Sequence, residues 1–324
     1  MNKLLLAALL TFAPAPAFAQ EVAPAQPPAA APAQAPAAAL PPTILADADP
    51  ALWVVRDEDT TIYLFGTFHL LDGRPWFNDE VRTAFDASNE LVVEVLLPED
   101  PAAQQALMQP LLMRLAIDPQ GRTISSRLTP EQNARLNQAL TTLGVPAGAL
   151  DRFEPWFISL TLAQVAARQL NLNAANGPEA VLRRAAAGRN MTESELETLE
   201  SQLRIFDALS EEDQLRTLRA ALDDLEQLSR QLAPMLEAWS TGNVERLSAM
   251  MNEGLAEDRT LYDALFTHRN ARWAEWIAGR MARPGTVFMA VGAGHLGGPN
   301  SVQDALQGRG IRAERVPHVE APAS

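Results

Sequence analysis

Segments with the composition of β-strands occur only near the two ends of the region after residue 45 of this 324-residue chain, and a long stretch of helical periodicity lies between them. Residues 51–56 and 60–65, joined by Asp57-Glu58-Asp59, read as a hairpin. Residues 90–97 read as a third strand, and residues 286–291 and 311–316 as two more. A helical pattern over residues 78–86 links the second strand to the third, and one over residues 300–307, closed by Gly308, links the last two. Short helical crossovers of this kind predict parallel pairing, with helices packed on the sheet. The expected fold is therefore α/β, with a mixed, partly parallel central sheet built from the two ends of the domain and a large helical insert.

The insert carries its own punctuation. Thr129-Pro130-Glu131-Gln132 has an N-cap hydroxyl, a proline in the first turn and a glutamine where a capping box needs one, opening a helix to about residue 143. Further helices fit residues 155–170, 178–187 with Gly188 as the stop, 199–209, 211–239 and 260–281. Pro234 is expected to kink the fifth of these near its end.

Two of the strands end alike. Thr61-Ile-Tyr-Leu-Phe-Gly66-Thr-Phe-His69 and Thr286-Val-Phe-Met-Ala-Val-Gly292-Ala-Gly-His295 each run from an apolar strand through glycine to a histidine three positions on, and each histidine is followed by leucine. The chain has only four histidines. Parallel neighbours would release both imidazoles at the carboxyl edge of the sheet, where folds of this class place their sites, and glycine just before them permits a sharp turn or close approach. His268 and His318 are read as surface residues.

Composition narrows the chemistry. There is no cysteine, which excludes disulfides, thiolate zinc sites and cysteine nucleophiles. Lysine occurs once, at Lys3, so Schiff-base and phosphate-loop lysines are excluded elsewhere. A net charge of −14 argues against nucleic acid as a partner. Residues 1–19 have a basic start, an apolar run and an Ala17-Phe18-Ala19 finish, the layout of a secretory signal cleaved after Ala19. Residues 20–45, rich in Ala, Pro and Gln, read as a disordered linker. The expectation is an exported protein without a transmembrane segment in its mature chain, periplasmic in a Gram-negative host or secreted, with one domain over 46–318 and a tail over 319–324. Oligomeric state is not encoded in any of these features.

A pair of imidazoles needs carboxylates, to complete a metal's ligand set or to act as general base. Glu94 interrupts the apolar run Leu91-Val-Val-Glu94-Val-Leu-Leu97, and an acid there costs several kcal/mol unless paired or coordinated. A second acid is expected from Glu195-Leu-Glu197-Thr-Leu-Glu200, where density prevents a choice and an exposed helix start is the competing reading.

Taken in order, Gly66-Thr-Phe-His69, Leu91-Val-Val-Glu94, Leu196-Glu197-Thr with Gln202, Arg269-Asn270 before Trp273, and Val291-Gly-Ala-Gly-His295-Leu-Gly-Gly298 resemble the motifs of the TraB/GumN family, over about residues 53–317. That group includes the Tiki metalloproteases, and its fold is similar to erythromycin esterase and haem-binding ChaN-like proteins. The resemblance implies a divalent metal (Zn, Mn or Co) on His69 and His295, with Glu94 and Glu197 as ligand or general base. It also implies Arg269 or Asn270 orienting substrate or stabilising an oxyanion, and hydrolysis of a peptide-like or other small-molecule substrate. Three other readings stand beside it. One histidine acts without metal as general base for an ester or lactone; the protein binds haem or metal without turnover; or Gly292-Ala-Gly294-His-Leu-Gly297 serves as a dinucleotide fingerprint.

Overall fold

The computed structural model describes residues 46–318 apart from 78, 224 and 256–258. The expected leader, linker and tail thus lie outside the described residues. Strand β1 (Leu52–Arg56) and β2 (Thr60–Thr67) form the predicted antiparallel hairpin, with Leu52 opposite Phe65 and Arg56 opposite Thr61. Helix α1 (Asp79–Asp86) leads to β3 (Glu90–Val93), which is four residues shorter than residues 90–97 and ends one residue before Glu94. After the helical body the chain returns through β5 (Gly285–Gly292), α12 (Val302–Gln307) and the two-residue β6 (Glu314–Arg315).

The six strands order as β4-β3-β5-β2-β1-β6. Strand β5 lies between β2 and β3 and pairs parallel with both, so the first and last thirds of the chain interleave rather than sit side by side. The short crossover after β5 does not give parallel pairing with β6, as residues 300–316 had indicated. Strand β6 crosses to the far edge and pairs antiparallel with β1, because both long edges of β5 are already occupied. Strand β4 (Thr192–Glu195) falls where an acidic helix start was the competing reading; it pairs parallel with β3, Val93 opposite Glu195. Its Thr-Glu-Ser-Glu sequence has no apolar alternation, since β4 is an edge strand with exposed and half-buried residues only.

Alternation on the strands sorts side chains to two faces. Ile62, Leu64, Val287, Met289, Val291 and Val92 pack against Trp273, Ala274 and Ile277 of α11 (His268–Arg280) and Val302 and Leu306 of α12. On the other face Phe65, Phe85 and Phe288 interlock, with ring centroids 5.7 Å apart for Phe65–Phe288 and 5.4 Å for Phe85–Phe288, and these join the core of the helical body.

That body contains α2 (Pro101–Leu115), α3 (Pro130–Thr142), α4 (Pro155–Gln169), α5 (Pro178–Ala187), α6 (Leu199–Asp207), α7 (Glu211–Asp223), α8 (Leu225–Ser240), α9 (Val244–Leu255) and α10 (Arg259–Tyr262). The capping box of α3 forms in both directions: Gln132 N–H donates to Thr129 Oγ1, and Thr129 N–H donates to Gln132 Oε1, each at 3.2 Å. Helix α5 starts and stops where Pro178 and Gly188 predicted. Residues 211–239 are helical on both sides of residue 224, which lies outside the described residues, as α7 and α8, and Pro234 lies inside α8. The one expected over residues 260–281 is α10, a widened π turn over Asp263–Thr267, and α11. Helices α2 and α9 had no sequence reading. Among the described residues no helix is long and apolar enough to cross a membrane.

Candidate active site at the carboxyl edge of the sheet

Four adjacent strands, β4, β3, β5 and β2, run in one direction, so their carboxyl ends share one edge. Just past those ends the chain carries Glu197, Glu94, His295 and His69 in the same spatial order. The ladder itself continues to the acids, with Glu197 N–H donating to Glu94 O at 2.9 Å. Parallel pairing therefore brings together residues that lie far apart in sequence, and all four are buried.

At the centre is Arg269, fully buried on the first turn of α11. Its Nη2 donates to Glu94 Oε2 at 2.6 Å and its Nε to Glu197 Oε2 at 2.9 Å, while Nη1 faces His295 Nε2 at 3.0 Å. Gln202 of α6 bridges the two acids, 2.9 Å from Glu94 Oε2 and 3.3 Å from Glu197 Oε2. The other oxygen of Glu94 accepts from Gly292 N–H at 2.7 Å, and Arg272 reaches Glu197 Oε1 at 3.1 Å. A buried charge survives only when paired and hydrogen-bonded, and here two carboxylates, a guanidinium and an amide satisfy one another.

Asn270 fixes the tautomer of His295. Its Nδ2 donates to Asn300 O at 2.7 Å, so its Oδ1 faces His295 Nδ1, at 2.6 Å. An amide oxygen only accepts, hence the ring proton is on Nδ1 and the lone pair of Nε2 takes the hydrogen bond from Arg269. Burial, with the positive charges of Arg269 and His69 beside it, pushes the His295 imidazole well below its usual range, which keeps it neutral. Trp273 and Phe266 close over the ring, with centroids 4.3 and 5.0 Å away.

His69 is arranged differently. Its Nδ1 lies 2.5 Å from Oε1 of Glu179, on the first turn of α5, an ion-pair contact outside hydrogen-bond geometry, and its buried Nε2 has no partner among the described residues. Burial pulls this imidazole down, but the charge and contact of Glu179, with Glu94 adding to them, outweigh it and the net direction is up. Glu179 moves the opposite way: burial raises it, and His69 together with the Thr67 hydroxyl brings it below its ordinary value. For Glu94, burial dominates Arg269 and His69, and its carboxyl is pushed up. The pair is thus an imidazole in close ion-pair contact with a carboxylate at one nitrogen, with the other left for chemistry.

A cavity of about 710 Å³ opens at this edge, a size usual for small-molecule sites. His69, Glu94, Glu179 and Gln202 line it; Glu197, Arg269, Asn270 and His295 do not and lie behind its floor. The two Gly-x-x-His motifs reach the same edge of the sheet but do not face one pocket: His69 lines the cavity, and His295 lies in the supporting network. Of the dense acids, Glu197 is the buried one, whereas Glu195 accepts from Leu96 N–H near the surface and Glu200 pairs with Arg114 and Arg204. His268 is exposed, and His318 lies on the surface within 3.1 Å of Glu80. Glu179 was missed by sequence reading; its only local signal is that Pro178-Glu179 opens a helix, a common place for an acid.

The glycines of the second motif are there for packing. A Cβ on Gly294 would meet Met251 Cε at 2.2 Å, and one on Gly297 would meet Val244 Cγ1 at 2.2 Å, so this loop is shaped to lie against α9. That arrangement, and a following helix of only six residues, leaves the dinucleotide reading of 292–297 without a phosphate cradle. Gly66 serves close approach: an added Cβ would be 3.1 Å from Ala293 Cα, while Trp239 Nε1 pins its carbonyl at 2.8 Å. Gly177, just before α5, is tighter still, because a Cβ would stand 2.1 Å from the carbonyl oxygen of His69. Gly177→Ala is expected to cost about 1–3 kcal/mol, the range for over-packing; an unchanged urea midpoint would show that His69 and α5 can separate freely.

The sequence profile of the TraB/PrgY/gumN family matches residues 51–315. This chain belongs to the TraB/PrgY/gumN family. The match takes in every residue of the site and all six strands. An uncharacterized protein of Treponema pallidum (strain Nichols) is 22% identical over 281 residues, covering 83% of each chain. No solved structure matches the chain.

Proposed function

We propose that this member of the TraB/PrgY/gumN family is a hydrolase of carbonyl substrates, a peptide-like amide or an ester, with His69 as general base. The observation that carries this reading is the close His69–Glu179 ion pair at the cavity, with Nε2 unpartnered among the described residues. In this mechanism Nε2 takes a proton from water as the water oxygen attacks the carbonyl carbon. Glu179 stabilises the imidazolium, which returns the proton to the leaving group. The Arg269 network supports the floor and keeps Glu94 in place beside His69.

A metal held jointly by His69, Glu94, Glu197 and His295 does not suit this donor set. Arg269 occupies the common centre of three of them, and their facing lone pairs are already taken by Arg269, Gln202 and Gly292 N–H. Among the described residues no group of three or more histidine or acidic side chains is placed to hold an ion. Metal analysis of the purified protein, with His69→Ala and His295→Ala alongside, separates the two chemistries: activity that survives chelation supports the base mechanism, and bound metal lost in both variants favours the metal-dependent one.

The base mechanism makes a signed pH prediction. A base must be unprotonated, so kcat/KM should rise with pH through the His69 pKa, which Glu179 and Glu94 hold above its ordinary 6.5. Glu179→Gln removes the carboxylate with the larger effect on His69, and the ascending limb should move to lower pH while the plateau falls. A limb that stays in place would remove Glu179 from the mechanism.

A further inference from the structure

The cavity has a direction. His69, Glu94 and Gln202 form a buried floor, whereas Arg168, Arg184 and Glu99 are exposed at its mouth. Charges at that mouth are unevenly committed. Arg183, half-buried on the α5 wall, is spent on Glu193 at 2.9 Å and on the Leu97 carbonyl. Arg184 has no carboxylate partner among the described residues and donates to the Ala175 carbonyl at 3.0 Å. Arg168, in the last turn of α4, has neither an ion-pair nor a hydrogen-bond partner among the described residues. On the wall that follows β3, the lining acid at the mouth is Glu99, which has no ion-pair partner among the described residues. Two guanidinium groups without a carboxylate partner among the described residues therefore border this cavity in a chain of net charge −14. Between floor and mouth the walls are largely apolar, with Leu97, Pro98, Ala167 and Leu172 among them.

We propose that the ligand of this cavity is an elongated molecule with an apolar middle and a terminal oxyanion group, a carboxylate or a phosphate, bound at the mouth by Arg168 and Arg184 while its carbonyl lies at His69. Guanidinium is the side chain best matched to a planar or tetrahedral oxyanion, since its N–H groups can donate in pairs. Arg168 and Arg184 each lie in the last turn of their helix, where a cation is favourable without any ligand, but that does not account for the two helices ending at one cavity mouth. Glu99 sets the selectivity against a ligand whose charge would lie on the β3 side. The inference rests on the cavity being the place of hydrolysis, and binding and turnover are therefore read separately.

The test uses hexananilide, adipic acid monoanilide and the ω-phosphonate of the same length, titrated calorimetrically into a His69→Gln protein so that no turnover intervenes. The ω-anionic anilides should bind at least about tenfold more tightly than the neutral one, with the carboxylate and phosphonate arms deciding between the two oxyanions. In an added Arg168→Gln/Arg184→Gln background that ratio should fall toward one, and in Glu99→Gln it should grow; high salt should shrink it. Equal affinity of neutral and anionic probes, no measurable binding of either anionic probe, or a ratio that survives loss of both arginines would each overturn the proposal. Failure of the wild-type protein to cleave any anilide or ester, with the binding ratio intact, would count against the hydrolase reading alone.

Discussion

Replacing Arg269 by methionine is expected to destabilise the protein by about 3–5 kcal/mol, the usual cost of removing one partner from a buried ion pair. The variant would leave Glu94 and Glu197 facing each other without their shared guanidinium, and His295 Nε2 without its donor. Burial already pushes Glu94 upward in the intact protein, and loss of Arg269 would push it further. A carboxyl whose folded pKa lies above its unfolded value favours folding at low pH and loses that contribution as pH rises through the folded pKa. The deficit of Arg269→Met should accordingly be smallest in acid and grow through and above the ordinary carboxylate range. Neutralising the acids as well, with Glu94→Gln and Glu197→Gln, should recover much of the loss. Urea unfolding across pH measures this, and a deficit under about 1 kcal/mol at neutral pH would mean that the cluster is solvated or that another group substitutes for Arg269.

The largest effect on activity is expected at His69. Glutamine there can still donate to Glu179, so the buried carboxylate keeps a partner, but the side chain has no basic nitrogen for the cavity. His69→Gln should lower kcat/KM toward esters or peptides by about 10²–10⁴, the range for loss of a positioned general base, with the urea midpoint changing far less than for Arg269→Met. The corresponding change at His295 tests the asymmetry of the two motifs. His295 has its Nδ1 proton on Asn270 and its Nε2 lone pair on Arg269, so His295→Gln should act first on stability. If His295→Gln abolishes turnover at unchanged stability while His69→Gln leaves it within about threefold, the roles assigned to the two imidazoles are reversed.

Much of the site was legible because each signal was local. Two apolar strands ending in Gly-x-x-His, and an acid within the run Leu91–Leu97, mark positions that cost free energy unless they serve a purpose. Glu179 was less accessible, since nothing in its neighbourhood distinguishes it from an ordinary helix-surface polar group, and Gln202 was singled out only by the family resemblance. Their roles arise from long-range contacts, Glu179 with His69 and Gln202 with Glu94. Element boundaries followed the same division. Helices α3 and α5, closed by capping residues and glycine, were read closely, whereas β4 lacks alternation and was missed because edge pairing with β3 supplies its stability.

The sequence by itself determined the class of fold, the strands at both ends of the domain, the helical punctuation between them, and three of the residues that meet at the carboxyl edge, His69, Glu94 and His295, while Glu197 came from the family resemblance. Only the tertiary structure decided the strand order, with β5 inserted between β2 and β3, and the division of labour between the two histidines. The physical reason is that hydrophobic period and capping act over a few residues, whereas the state of a buried imidazole is set by whatever group lies within hydrogen-bond reach. For His69 that group is a carboxylate, and for His295 a guanidinium, and both come from helices distant in the chain.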